Sequence, residues 1–153
     1  LKRSKELLIR QLDRNLAPFR NVLGILPDRG WIYTIRNTLG MTMAQLGRKV
    51  GVTKQNISLI EKRESEGAIT INSLRELGNA MDMALVYGFV SHHESIENMI
   101  EKRAIEIAKQ IVNRTNNTMI LEDQKVDYEL LENNLKSMAR EIQETLPKYL
   151  WDH

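Results

Sequence analysis

The fold is decided by the stretch from Met43 to Lys62, MAQLGRKVGVTKQNISLIEK. Thr42, just before it, stands three residues ahead of Gln45, a T-x-x-Q capping box in which hydroxyl and amide satisfy backbone groups at a helix start. A helix from Met43 to Val50 is expected to follow. Gly51 then permits a tight turn, and Thr53 caps a second helix over about Lys54 to Lys62. Leu46, Val50, Val52, Ile57 and Ile60 fall where two helices crossing around a three- or four-residue turn bury side chains between them.

The outward face of the second helix then carries Lys54, Gln55, Asn56 and Ser58. Paired amide hydrogen bonds suit an adenine edge, lysine reaches guanine acceptors and serine is adaptable, so these four are the candidate readers of bases in a major groove. Arg48, Lys49, Lys62 and Arg63 suit phosphates, as do Thr42, Gln45 and Thr53 at the two helix starts.

Outward from this core, Ser4 to Leu16 reads as an amphipathic helix with Leu7, Leu8, Leu12 and Leu16 as its apolar face. Pro27 to Gly30 has turn chemistry, and Trp31, Ile32, Ile35 and Leu39 have helical spacing up to Gly40. A helix from Ile71 or Asn72 to Met81, with Leu74, Leu77, Ala80 and Met81 inward, closes a small bundle. Ala84 to Val90, ALVYGFV, is short, β-branched and aromatic, and predicts a strand. A lone strand leaves backbone groups unpaired, so Leu85, Val86, Tyr87, Phe89 and Val90 are candidate dimerisation residues, joining two copies about a two-fold axis. Two further helices, about Ser95 to Asn113 and Asp127 to Thr145, are separated by the Asn-rich RTNNT, and a tail follows in which Tyr149 and Trp151 are candidate anchors. The expected organisation is an N-terminal helical extension (1–27), a DNA-binding domain (28–83), a dimerisation strand (84–91) and an acidic helical extension (92–153).

Composition narrows the classes. Hydrophobic residues make up 42% of the 153 and aromatics only 5%, which suits a helical core of aliphatic side chains. The absence of cysteine excludes a disulfide framework and a thiolate metal site and points to the cytoplasm. No apolar run approaches membrane-spanning length, so no membrane is expected as a partner. Residues 1–63 hold 13 Lys/Arg and 4 Asp/Glu, net +9, whereas residues 64–153 hold 9 and 16, net −7. The basic part is expected to meet a polyanion.

Other constellations read as solvated surface. His92 and His93, beside Glu94 and Glu97, lack the facing of a helical metal pair, so no metal is expected. No nucleophile set or phosphate loop is visible, which excludes an enzyme and calls for no cofactor. Ile96, Met99, Ile100, Ile107 and Ile111 form one apolar stripe, and Leu130, Leu131, Leu135, Met138 and Ile142 another. Core packing is the default for both; a partner-binding surface using Met99, Met119 and Met138 is the alternative, with DNA binding then secondary.

TMAQLGRKVGVTKQNISLIE resembles the helix-turn-helix of the lambda-repressor-like, or Xre, family, and ITINSLRELGNAMDM resembles the helix that follows it. Met43 and Gly47 depart from that pattern, standing where glutamine and alanine are usual. RQLDRNLAPFR, PDRGWIYTIRNTLGMTMAQLG, LVYGFV and the terminal LWD together resemble the mobile mystery protein A family. The first resemblance implies a mainly α, lambda-repressor-like bundle, here with one short strand and a C-terminal helical extension. Together they imply a dimeric repressor bound to a double-stranded operator, antitoxin-like and paired with a Fic-fold protein; the S/T-x-x-x-E-G/N motif of Fic regulators is not found.

Overall fold

The computed structural model describes residues 2–121 and 127–152, with side chains over 4–118 and 127–152. Among the described residues seven α-helices follow one another: α1 (Lys2–Leu16), α2 (Trp31–Thr38), α3 (Met43–Val50), α4 (Lys54–Ser65), α5 (Ile71–Ala80), α6 (Ile96–Leu121) and α7 (Tyr128–Thr145). Short 3-10 helices occupy Ala17–Val22 and Lys148–Trp151. The chain forms two packed units, one from residues 19–89 and the other from residues 1–18 with 90–153.

In the central unit, Ile32, Leu46, Ile57, Leu77 and Met81 are buried, and Ile35, Val50, Val52, Ile60, Leu74 and Ala80 pack around them. Trp31 and Leu39 lie at the exposed ends of α2 and stay outside this core, contrary to their spacing. Two charged residues are buried with the aliphatic ones, Arg36 and Glu61. Each follows a core isoleucine by one turn, Arg36 after Ile32 and Glu61 after Ile57, and so inherits an inward direction. Both nitrogens on one edge of the guanidinium meet the carboxylate, with Nη2 3.2 Å from Oε2, and Nη1 donates to the Met41 carbonyl at 2.8 Å. The hydrogen bond to Glu61 raises the Arg36 pKa against the lowering effect of burial, so the guanidinium stays charged.

The strand expected over Ala84 to Val90 is not formed, and no strand occurs among the described residues. A ladder needs a second strand, and the chain offers none here. The segment is held by side-chain packing instead: the Phe19 ring lies against Gly88 so closely that a Cβ there would fall 2.7 Å from it.

In the other unit, α6 and α7 pack through Ile100, Ala104, Ile107, Ala108, Ala139 and Ile142. Three alanines among these bring the helices close together. The N-terminal helix belongs to this unit rather than standing as a separate extension, and of its four leucines only Leu16 is half-buried. Leu7, Leu8 and Leu12 are exposed, whereas Ile9 packs on the core. The face that α1 turns inward is set by polar groups at the ends of other helices. Asp13 accepts hydrogen bonds from the Ile96 and Glu97 amides, at 2.6 and 3.2 Å, closing the N-terminus of α6. Lys5 Nζ donates to the Thr145 carbonyl at 2.9 Å, at the C-terminus of α7. An acid at a helix start and a base at a helix end both complement the backbone dipoles.

Two other expectations are corrected. RTNNT does not end α6, which runs on to Leu121. Thr115 and Thr118 hydroxyls donate to the carbonyls of Ile111 and Arg114, at 3.1 and 3.0 Å, turning would-be breakers into helix-compatible residues. The tail is anchored by Leu150, fully buried, while Tyr149 and Trp151 remain about half exposed. Arg103 fixes it from α6, donating to the Leu150 and Asp152 carbonyls at 2.8 and 2.7 Å. Met119 lies outside the described side chains.

Breaking a buried pair strands the remaining charge, whereas replacing both members with apolar groups does not. Glu61→Ala is therefore expected to cost about 3–5 kcal/mol in urea denaturation, and Arg36→Met with Glu61→Leu much less. Equal losses from the two variants would contradict the role given to the pair.

Candidate nucleic-acid interface

The two helices at the centre of the sequence are built by local rules. Both halves of the capping box are present: Thr42 Oγ1 accepts from the Gln45 amide at 3.1 Å, and Gln45 Oε1 accepts from the Thr42 amide at 2.8 Å. Gly51 ends α3 in the left-handed region at φ 76°, and the Val52 amide returns to the Gly47 carbonyl at 2.8 Å. Thr53 caps α4, accepting from the Asn56 amide at 3.2 Å. The helix is thereby oriented with Ile57 and Glu61 inward.

Its other face is polar and open. Lys54, Gln55, Asn56 and Ser58 are all exposed, brought together on the first two turns of α4, and Lys62 and Arg63 follow. Arg48 and Lys49 are exposed on the last turn of α3. Among the described residues, Arg48, Lys49, Lys54 and Arg63 have no acidic partner, and Lys62 has only a distant one, 3.9 Å from Glu66. Thr42, Gln45 and Thr53 are exposed, and their side-chain oxygens accept the capping hydrogen bonds. Leu85 and Val90 are half-buried, whereas Val86, Tyr87 and Phe89 are exposed.

A family model described as helix-turn-helix matches residues 32–87, a little over a third of the chain. Residues 32–87 are a lambda-repressor-like helix-turn-helix domain. Domains of this kind bind DNA in transcription regulators. No curated protein and no solved structure matches the chain. Among the described residues, no helix is long and apolar enough to cross a membrane.

The helix-turn-helix domain contains functional neighbours that spacing alone did not single out. Glu64 caps α2 from α4: its carboxylate accepts from the Trp31 and Ile32 amides at 2.7 and 2.9 Å. Gly30, which precedes α2, offers no capping side chain, and a Cβ there would fall 2.7 Å from the Glu64 carboxyl carbon. A helix start with glycine in place of a capping residue was the available signal. Leu59, one turn after Gln55, is 44% exposed on an otherwise polar face.

The glycine at 47 has a physical reason. Buried in α3, it lies so close to the following turn that a Cβ would stand 2.5 Å from the Val52 carbonyl oxygen. That oxygen belongs to the backbone and cannot swing away. Gly47→Ala gains about 0.8–1.0 kcal/mol of helix propensity but must displace the turn that aims α4. The expected result is net destabilisation of about 1–3 kcal/mol in chemical denaturation; a variant more stable than the parent would show that the turn has room to give.

Proposed function

We propose that the chain is a sequence-specific repressor in which α4 enters the major groove of an operator. Lys54 and Gln55 read base edges, Asn56 and Ser58 assist them, and Arg48, Lys49, Lys62 and Arg63, with Thr42, Gln45 and Thr53, hold the flanking phosphates. The observation that carries this reading is the open, cation-rich face of α4, on a helix whose opposite face is immobilised by Ile57, Glu61 and Glu64. Rigid placement matters because base readout requires hydrogen-bonding atoms held in register with the groove.

The repressor acts as a homodimer joined through residues 85–90. Support comes from Val86, Tyr87 and Phe89, which expose 73, 61 and 78% of their surfaces after α5. Two copies would place their α4 helices about 34 to 36 Å apart and select an operator with inverted symmetry. Autoregulation as an antitoxin-like protein beside a Fic-fold partner rests on the sequence resemblance. A partner-restraining role, with DNA binding secondary, finds a different support: Leu7, Leu8 and Leu12 on α1 and Tyr128 and Leu130 on α7 are exposed.

The roles of individual residues separate on a panel of operators differing by single base pairs. Gln55→Ala is expected to lose about 1–3 kcal/mol of discrimination at one position, and Lys62→Ala to weaken binding to every member alike. Uniform loss from Gln55→Ala would remove it from the base readers.

A further inference from the structure

A cleft of about 230 Å³ lies within the helix-turn-helix unit, between the start of α2 and the far end of α4. Arg29, Tyr33, Ser58, Glu61, Lys62 and Ser65 line it. The Arg29 guanidinium carbon sits 3.6 Å from the centroid of the Tyr33 ring, a stacked cation–π contact. Among the described residues, Arg29 has no acidic partner. The one carboxylate of the cleft, Glu61, is already neutralised by the two nitrogens of Arg36. Lys62 is exposed and reaches Glu66 only at 3.9 Å, a contact of little energetic weight. The cleft therefore presents two cations, Arg29 without an acidic partner among the described residues and Lys62 only weakly paired, beside the Ser58 hydroxyl.

We infer that this cleft seats a phosphate of the DNA backbone, with Arg29, held flat on Tyr33, as its main donor and Lys62 as the second. Stacking immobilises the guanidinium and covers one face of it, while its edge N–H groups remain free for the planar, paired hydrogen bonds that phosphate oxygens accept. The position along α4 agrees. Lys54, Ser58, Lys62 and Ser65 recur every three or four residues on one face, so the stripe of readers leads into the cleft. Lys62 lies about 12 Å along the axis from Lys54 at 1.5 Å per residue, and the major groove is about 12 Å wide. A helix that touches base edges by its first turn thus brings its third turn to the wall of the groove, where the phosphates run. Arg29 and Tyr33 lie outside the two helices that spacing marked as DNA-facing, and this inference rests on the DNA-binding reading above.

A phosphate contact is independent of sequence, so the test needs no known operator. The full chain is titrated with a random-sequence 30-base-pair duplex at several salt concentrations, alongside Arg29→Ala and Tyr33→Leu. Loss of one phosphate contact should flatten the slope of log K against log salt by about 0.9 for Arg29→Ala. Tyr33→Leu, which keeps the charge but removes its platform, should weaken binding while Tyr33→Phe restores it. Random replacement of a fraction of the duplex's phosphates by neutral methylphosphonates should weaken the parent more than Arg29→Ala, in which Lys62 alone is left to meet that phosphate. An unchanged slope for Arg29→Ala, or equal sensitivity of parent and variant to that replacement, would overturn the inference and leave the repressor reading intact. Failure of the parent itself to bind any duplex would overturn both.

Discussion

The buried ion pair between Arg36 and Glu61 is the constraint on which the geometry of the surface proposed to face DNA depends. It joins α2 to α4 across the core, and the remaining arm of the guanidinium holds the Met41 carbonyl in the connection leading to α3. Ionised groups taken out of water need their hydrogen bonds met, and here one arginine meets the carboxylate twice and a backbone oxygen once. Three residues further along α4, Glu64 closes the N-terminus of α2. Two carboxylates on one helix thus grip the same neighbour. Both acids are consumed inside the domain, which leaves the outer face of α4 to Lys54, Lys62 and Arg63.

Folding also redistributes the charge that divides the sequence so sharply. Cut after Arg63, the chain reads +9 and −7, but the helix-turn-helix unit, residues 19–89, holds 9 Lys/Arg and 6 Asp/Glu, net +3. The other unit holds 13 and 14, net −1. The difference arises because α1, with Lys5, Arg10 and Arg14, belongs to the unit of the acidic helices α6 and α7. Part of the basic character of the first 63 residues is therefore spent on intramolecular balance. What remains for a polyanion is a local surface, made of a few cations that lack acidic partners on α3 and α4.

The parts legible in the sequence are those governed by rules acting over four or five residues. Thr42 with Gln45, Gly51 and Thr53 marked the limits of α3 and the start of α4, and the start of α5, expected at Ile71 or Asn72, lies at Ile71. The exposure of Lys54, Gln55, Asn56 and Ser58 followed from the same helical phase that buries Ile57. Long-range polar contacts were not legible. Nothing near Asp13 in the sequence says that it closes a helix 83 residues away, yet that bond turns Leu7, Leu8 and Leu12 outward. Glu64 reaching Trp31 is the same kind of event. The strand expected over Ala84 to Val90 came from composition, which measures suitability for a sheet but cannot supply the partner that a sheet requires.

The central claim is that the open face of α4 reads sequence and is more than an electrostatic dock. Competition titration of the full chain between its own upstream duplex and an unrelated duplex, at two salt concentrations, tests it most directly. The account predicts a preference for the upstream DNA of about 10³-fold or more, retained at the higher salt. Equal weak binding to both, with one shared steep salt dependence, would contradict it.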